Sequence, residues 1–365
     1  MYALYLFLFR RMWKKGLYIV FTFSEHEAYE GDRIYLREII VNHKILPLPY
    51  FQISYKLHKS FRFEDDRLSN VSDSTYMRDI HSLWLYQKIE REFPMTCSKR
   101  GIYTSDSLSV SAKNMLNSAV YKQDLPMSHT IYVYPKQITG PDFHQFRQRF
   151  FGQMISRSLQ TEDPFAFRGI REYQNHDPMR KINWKSSAKN NQWMVNTFFS
   201  TSAKRVMLLL DLSLVNERHW EALCEESIRL AAAVTRELLA AAFSVNLVSN
   251  AYDADNQICF PPEIPEAGLS MTAVLRGLSR IDLRRHLPEP FDTFMEKQIA
   301  GTSGQEWIYI LISPNNLPEY QKQYEKLCMG QTAFWVDVID REKKDTPPRS
   351  VASTQITKLD WYAET

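Results

Sequence analysis

Between Arg168 and Lys189 the chain reads RGIREYQNHDPMRKINWKSSAK, with six cations (Arg168, Arg171, Arg180, Lys181, Lys185, Lys189) against two carboxylates (Glu172, Asp177) and two aromatics (Tyr173, Trp184). Guanidinium groups at this density offer planar, two-pronged contacts to carboxylate or phosphate, and the aromatics add stacking surface. No helical or strand periodicity runs through the segment. Unpaired ions cost several kcal/mol in an interior, so the stretch is expected to be an ionic network or a binding loop and not a core element. Two uses stay open. One is a clasp in which Glu172 and Asp177 pair with Arg168, Arg171 or Arg180 and lock neighbouring domains together; the other is a partner or ligand site. Glu172, Asp177 and His176 also have the chemistry of acid and base catalysis, which is the enzyme alternative.

The elements around this segment change character along the chain. Short alternating runs over 18–138, among them 33–41, 51–57, 82–93 and 107–111, predict antiparallel strands in a small β-sandwich, with Glu30-Gly31-Asp32 and Lys99-Arg100-Gly101 as turns. Phe143, Phe146, Phe150, Met154 and Ile155 recur at three and four residues and predict a short helix. From Lys204 the pattern is α/β: strands at 206–210, 244–248, 307–312 and 333–338 alternate with helices at 220–243, 272–281 and 320–328. That order predicts a doubly wound parallel sheet whose ligand crevice lies beyond the carboxyl ends of its strands, where Asp211 sits. The expected organisation is a leader over 1–24, a β-sandwich-like domain over 25–140, a connector over 141–203, an α/β domain over 204–340 and a flexible tail over 341–365.

Arg171-Glu172-Tyr173, Asp177-Pro178-Met179-Arg180, Ile182-Asn183-Trp184 and Ser187-Ala188-Lys189, in this order and spacing, resemble the signature of the domain of unknown function 58 family. The likeness extends through Asn42 to Pro49, Arg100 to Tyr103, Val133 to Pro135 and the strand ending at Asp211. It implies a β-sandwich followed by a von Willebrand factor A-like α/β domain. It also implies, in a bacterial protein, a MoxR-type AAA+ ATPase and a transglutaminase-like membrane protein as partners in assembly or maturation; with no catalytic set in the sequence, a non-enzymatic interaction or scaffold protein is the expectation. Two positions depart from the pattern: His176 stands where the family has glycine, and Thr197, Phe198 and Phe199 stand where it tends to be acidic.

Asp211-Leu212-Ser213 resembles the opening of the D-x-S-x-S metal-ion-dependent adhesion motif, with Thr272 as the second-loop candidate. Val215 replaces the second serine, and Ser313-Pro314 stands where a third-loop aspartate is expected. Loss of a hydroxyl and a carboxylate removes both geometry and charge from a hard-cation site. The competing expectation is that Asp211 and Ser213 cap the following helix; a metal-dependent adhesion module is the remaining functional alternative. No cofactor is expected.

The 365 residues carry a formal net charge of +3, well short of the concentrated basic face that nucleic acid demands. Cys97, Cys224, Cys259 and Cys328 have neither zinc nor dithiol spacing and are expected to be reduced, buried thiols. No nucleotide-binding loop, zinc-protease or nucleophile-elbow motif occurs. The apolar run 3–9 ends in Arg10, Arg11, Lys14 and Lys15. As a helix it reaches about 13 Å, against about 30 Å of hydrocarbon. The family resemblance makes it the remnant of a transmembrane helix, and the basic step would mark the cytoplasmic face. Membrane association through the amino terminus, or a cytoplasmic location if the anchor is lost, is the expectation.

Overall fold

The computed structural model describes residues 2–63, 69–71, 74–114, 119–158, 167–174, 177–198, 205–213, 219–253, 257–260, 268–284, 290–302, 306–315, 317–343 and 356–363. The chain divides into two compact units, Met1–Gln137 with Leu275–Asp282, and Ile138–Val274 with Leu283–Thr365.

The first unit opens with helix α1 (Tyr2–Met12) and continues as strands β1 (Leu17–Phe23), β2 (Glu27–Tyr29), β3 (Arg33–Asn42), β4 (Leu48–His58), β5 (Phe61–Phe63), β6 (Ser69–Val71), β7 (Ser74–Leu83), β8 (Lys88–Cys97), β9 (Gly101–Lys113) and β10 (Val120–Tyr134). One sheet has the order β1-β3-β8-β5 and the other β2-β10-β9-β4-β7-β6. Pairing is antiparallel except between β10 and β2. Alternation decides what each strand buries: Ile34, Leu36 and Ile40 of β3, and Phe51, Ile53, Tyr55 and Leu57 of β4, meet in one core drawn from both sheets. The Glu30-Gly31-Asp32 turn forms as expected, with Gly31 at φ +98° and the Asp32 carboxylate accepting from the Tyr29 amide at 2.8 Å.

Three sequence expectations change here. The run 82–93 is broken at Trp84–Gln87 by a turn in which Tyr86 has φ +50° and the Trp84 amide donates to Gln87 Oε1, so β7 and β8 are separate strands in different sheets. The 1–24 leader is part of the folded unit: β1 pairs with β3, and Phe9 and Trp13 are buried against Tyr121. Among the described residues, no helix is long and apolar enough to cross a membrane. Arg100, buried, donates to the Leu278 and Ile281 carbonyls at 2.8 Å each, which ties 275–282 into this unit.

The second unit contains α2 (Pro141–Ser158), β11 (Phe167–Glu172), α3 (Trp184–Asn190), β12 (Met194–Phe198), β13 (Arg205–Leu210), α4 (Trp220–Ala240), β14 (Ser244–Ser249), the start of α5 (Met271–Arg280), α6 (Phe291–Ala300), β15 (Ile308–Ser313), α7 (Pro318–Leu327), β16 (Thr332–Asp340) and β17 (Ile356–Ala363). Its main sheet is parallel throughout, in the order β14-β13-β15-β16-β17. β13 is buried at five consecutive positions because both faces are covered. Met207, Leu209, Tyr309, Leu311 and Trp335 pack with α6 and α7. On the opposite face α4 runs across the sheet, Phe150 of α2 meets Phe334, and Phe143 and Phe146 meet Trp361. The expected flexible tail is corrected in part: Ile356–Ala363 is a fifth strand with Ile356, Leu359, Trp361 and Ala363 buried, while 344–355 lies outside the described residues.

Candidate functional site

The segment that lacked periodicity is built from short pieces pinned by polar side chains. β11 and β12 form a two-stranded antiparallel sheet with Arg171 opposite Val195 and Glu172 opposite Met194. Between them a 3₁₀ turn, Met179–Lys181, leads to Ile182, which bridges to Val195; both are buried. Asn183 caps α3 by accepting from the Ser186 amide at 2.9 Å, and its amide donates to Asn196 Oδ1 at 2.8 Å. Ser187 closes the piece, donating to the Asn183 carbonyl and accepting from the Met194 amide, both at 2.8 Å. Asn191 ends the helix at φ +55°.

Of the pairings left open by the sequence, the fold selects Arg171 with Asp177. Both guanidinium nitrogens reach the carboxylate at 2.6 Å, Arg171 also donates to the Glu172 carbonyl, and the Gln174 amide donates to Asp177 Oδ2 at 2.9 Å. The Asp177 carboxylate is only 7% exposed. Both of its oxygens accept hydrogen bonds, which suits a pin. Arg168, Glu172, Arg180 and Lys189 are exposed. Tyr173 and Trp184 both contact Trp193, with ring centroids 5.7 and 6.1 Å apart, and Trp184 is 67% exposed. Trp193, directly before β12, is a member that the sequence motif does not include. His176 lies outside the described residues.

A second polar cluster occupies the carboxyl edge of the parallel sheet. β13 and β15 are neighbours, and the chain leaves them toward opposite edges, which makes this end the topological switch point of the sheet. Asp211 there is fully buried. Its Oδ1 accepts from the Ser213 amide at 2.9 Å and its Oδ2 from Ser313 Oγ at 2.7 Å. Asn250 joins the cluster, accepting from the Leu212 amide and donating to Ser213 Oγ, both at 3.2 Å. Burial pushes the Asp211 carboxyl above its ordinary range, and the hydrogen bonds from Ser213 and Ser313 only partly oppose that.

This geometry does not match a hard-cation site. Ser313 stands at the third-loop position and donates its proton into Asp211, while Thr272 is exposed on the first turn of α5; Val215 lies outside the described residues. The capping expectation is also corrected. His219 is the residue preceding α4, and Asp211 instead closes a tight turn on Ser213.

Residues 169–290 match the model of the family described as protein of unknown function DUF58. The match supports the DUF58 family. The DUF58 segment takes in the pinned hairpin, Asp211 and Asn250, so both polar clusters draw on it. No curated protein matches the chain. Solved structures similar to it include the C-terminal domain of wzt (13% identity, 34% of this chain and 78% of that one, TM-score 0.24). A non-cellulosomal cohesin from the hyperthermophilic archaeon Archaeoglobus fulgidus covers 35% of this chain and 96% of its own (9% identity, TM-score 0.22). A GH20 exo beta-N-acetylglucosaminidase from Vibrio harveyi aligns over 95% of this chain and 79% of its own at 7% identity, with a TM-score of 0.24. Likeness at this level carries no argument about fold or activity.

Proposed function

We propose that this DUF58 protein is a non-enzymatic interaction protein at the inner face of a bacterial membrane. Its two facing sheets act as a β-sandwich and its parallel sheet as a von Willebrand factor A-like domain. The observation that carries the proposal is the pinned hairpin: Arg171 and Asp177 fix a small scaffold from which Trp184, Trp193 and Arg180 face solvent. Exposed tryptophan beside arginine on a fixed backbone is the composition of a protein-binding hot spot. Engagement of both Asp177 oxygens supports a structural use of that carboxylate over acid or base catalysis. By family resemblance the partner is a MoxR-type AAA+ ATPase, with a transglutaminase-like membrane protein as a further associate.

Membrane association is supported by α1, which exposes Phe7, Leu8 and Met12 beside Arg10 and Arg11, and by exposed Tyr18 and Val20 on β1. An apolar face next to cations is how a chain lies on an anionic surface.

The test is co-purification with a MoxR-type AAA+ ATPase. The expected result is recovery with the wild-type chain and at least about a tenfold loss on Trp184→Ala with Arg180→Ala, since hot-spot truncations cost about 2 kcal/mol or more. Undiminished recovery with a folded double variant would remove the hairpin as the contact.

A further inference from the structure

Three ionisable side chains share one spot in the core of the first unit. Strand β3 alternates, with Ile34, Leu36, Glu38 and Ile40 turned inward, so Glu38 occupies a place that the pattern reserves for an apolar residue. On β7, in the other sheet, Met77, Asp79, His81 and Leu83 share one face by the same period of two. Glu38 and His81 are fully buried side chains. Among the described residues, neither Glu38 oxygen and neither His81 ring nitrogen has a hydrogen-bond partner.

The distances explain why. His81 Nε2 lies 3.6 Å from Glu38 Oε1 and 3.7 Å from Asp79 Oδ2. Both gaps exceed the about 2.7–3.2 Å of a hydrogen bond. A proton on His81 therefore does not close either gap, and a buried carboxylate left in this state is costly. An ion about 2.1 Å from each ligand atom would span both gaps at angles near 120°, within the range of a four-coordinate site.

We infer that Glu38, Asp79 and His81 form a binding site for one first-row divalent cation of the Zn²⁺ class, held between the two sheets of the first unit. Two carboxylates and one imidazole suit such an ion in chemistry and balance its charge. Asp79 is 29% exposed at its side chain, which gives the ion a way in, and Arg91 holds the same Oδ2 from the solvent side at 2.6 Å, as an outer partner orienting a ligand. Tyr55 borders the cluster: burial, and then the Glu38 and Asp79 carboxylates, push its hydroxyl above the ordinary range. The site lies apart in sequence from the DUF58 segment and is independent of the proposed partner contact.

The test uses the full chain stripped with a chelator, then titrated with ZnCl₂, MnCl₂ or MgCl₂ and followed by bound metal per chain and by thermal unfolding. The expected result is one Zn²⁺ or Mn²⁺ per chain, a raised Tm, and at least about a tenfold loss of affinity in Asp79→Asn and in His81→Gln. CoCl₂ should give the visible absorption of four-coordinate Co²⁺ in the wild type and lose it in the variants. If His81→Gln does not fold, Asp79→Asn, altered at a partly exposed position, decides. No binding of Zn²⁺ or Mn²⁺ up to about 100 times a micromolar Kd, or unchanged binding in folded Asp79→Asn, would overturn the site.

Discussion

The ion pair between Arg171 and Asp177 differs from an ordinary surface pair because it is two-pronged and its carboxylate is nearly enclosed. Exposed single-contact pairs contribute about 0–1 kcal/mol, whereas charge-assisted forks contribute more. Arg171→Met should therefore destabilise the hairpin by about 1–3 kcal/mol. The local readout is hydrogen exchange at the Gln174 amide, which donates to Asp177; protection there should fall first, and unchanged protection would show that the fork is dispensable. Asp211 makes the opposite kind of prediction. Its carboxyl is raised by burial. Below the ordinary carboxylate range it is protonated folded and unfolded alike; as pH rises, the unfolded chain ionises first, and its stabilising share is lost toward the raised folded value. Asp211→Asn cannot ionise, so its Tm relative to the wild type should climb as pH rises through and above the ordinary carboxylate range. A flat difference across that range would contradict burial as the dominant cause. Cys97 and Cys328, both pushed up to about 12 by burial, are placed for packing and not for nucleophilic chemistry.

Elements are held in place as much by what fits between them as by their own propensity. Gly268 has φ +77° and lies against β14, where an added Cβ would come within 2.7 Å of Ser244 Oγ and 2.8 Å of the Val245 amide nitrogen. The next amide, that of Leu269, donates to the Val245 carbonyl at 2.7 Å, so the backbone cannot retreat without giving up that bond. Gly268→Ala should cost about 2–4 kcal/mol, measured by urea unfolding, and a loss under about 0.5 kcal/mol would mean that the edge of the sheet yields freely. The break at Trp84–Gln87 makes the same point from the other side. Trp84 and Tyr86 favour strand, yet Asn42 draws the Trp84 carbonyl and the Gln87 carbonyl accepts from the Asn42 amide, which fixes a turn there.

At the scale of the whole molecule the division into units is not a division of the sequence. The first unit takes 275–282 from a point far downstream, through Arg100 to the Leu278 and Ile281 carbonyls and through Arg276 to Glu27 at 2.7 Å. Arg276 lies beside Glu27 and draws its carboxyl below the ordinary range. A fragment ending at Gln137 should therefore be less stable than the same residues in the full chain, with exchange protection lost around Arg100. Equal protection in the two would show that the borrowed segment is not needed.

Periodicity was enough to read most strands and helices, because the faces of a strand or helix are set within a few residues. The hairpin signature, the place of Asp211 at a strand end and the Gly31 turn were legible for the same reason: each depends on side chains and backbone angles that are neighbours in sequence. Partner choice among ions was not. That Arg171 takes Asp177, that Ser313 donates to Asp211, and that Glu38 meets His81 across two sheets follows from register and closure over as many as a hundred residues. The strand at Ile356–Ala363 was hidden likewise, since a polar-flanked run becomes a fifth strand only when β16 offers it an edge and α2 covers Trp361. Local chemistry wrote the pieces; long-range burial, which makes an unpaired ion or an open strand edge costly, chose how they pair.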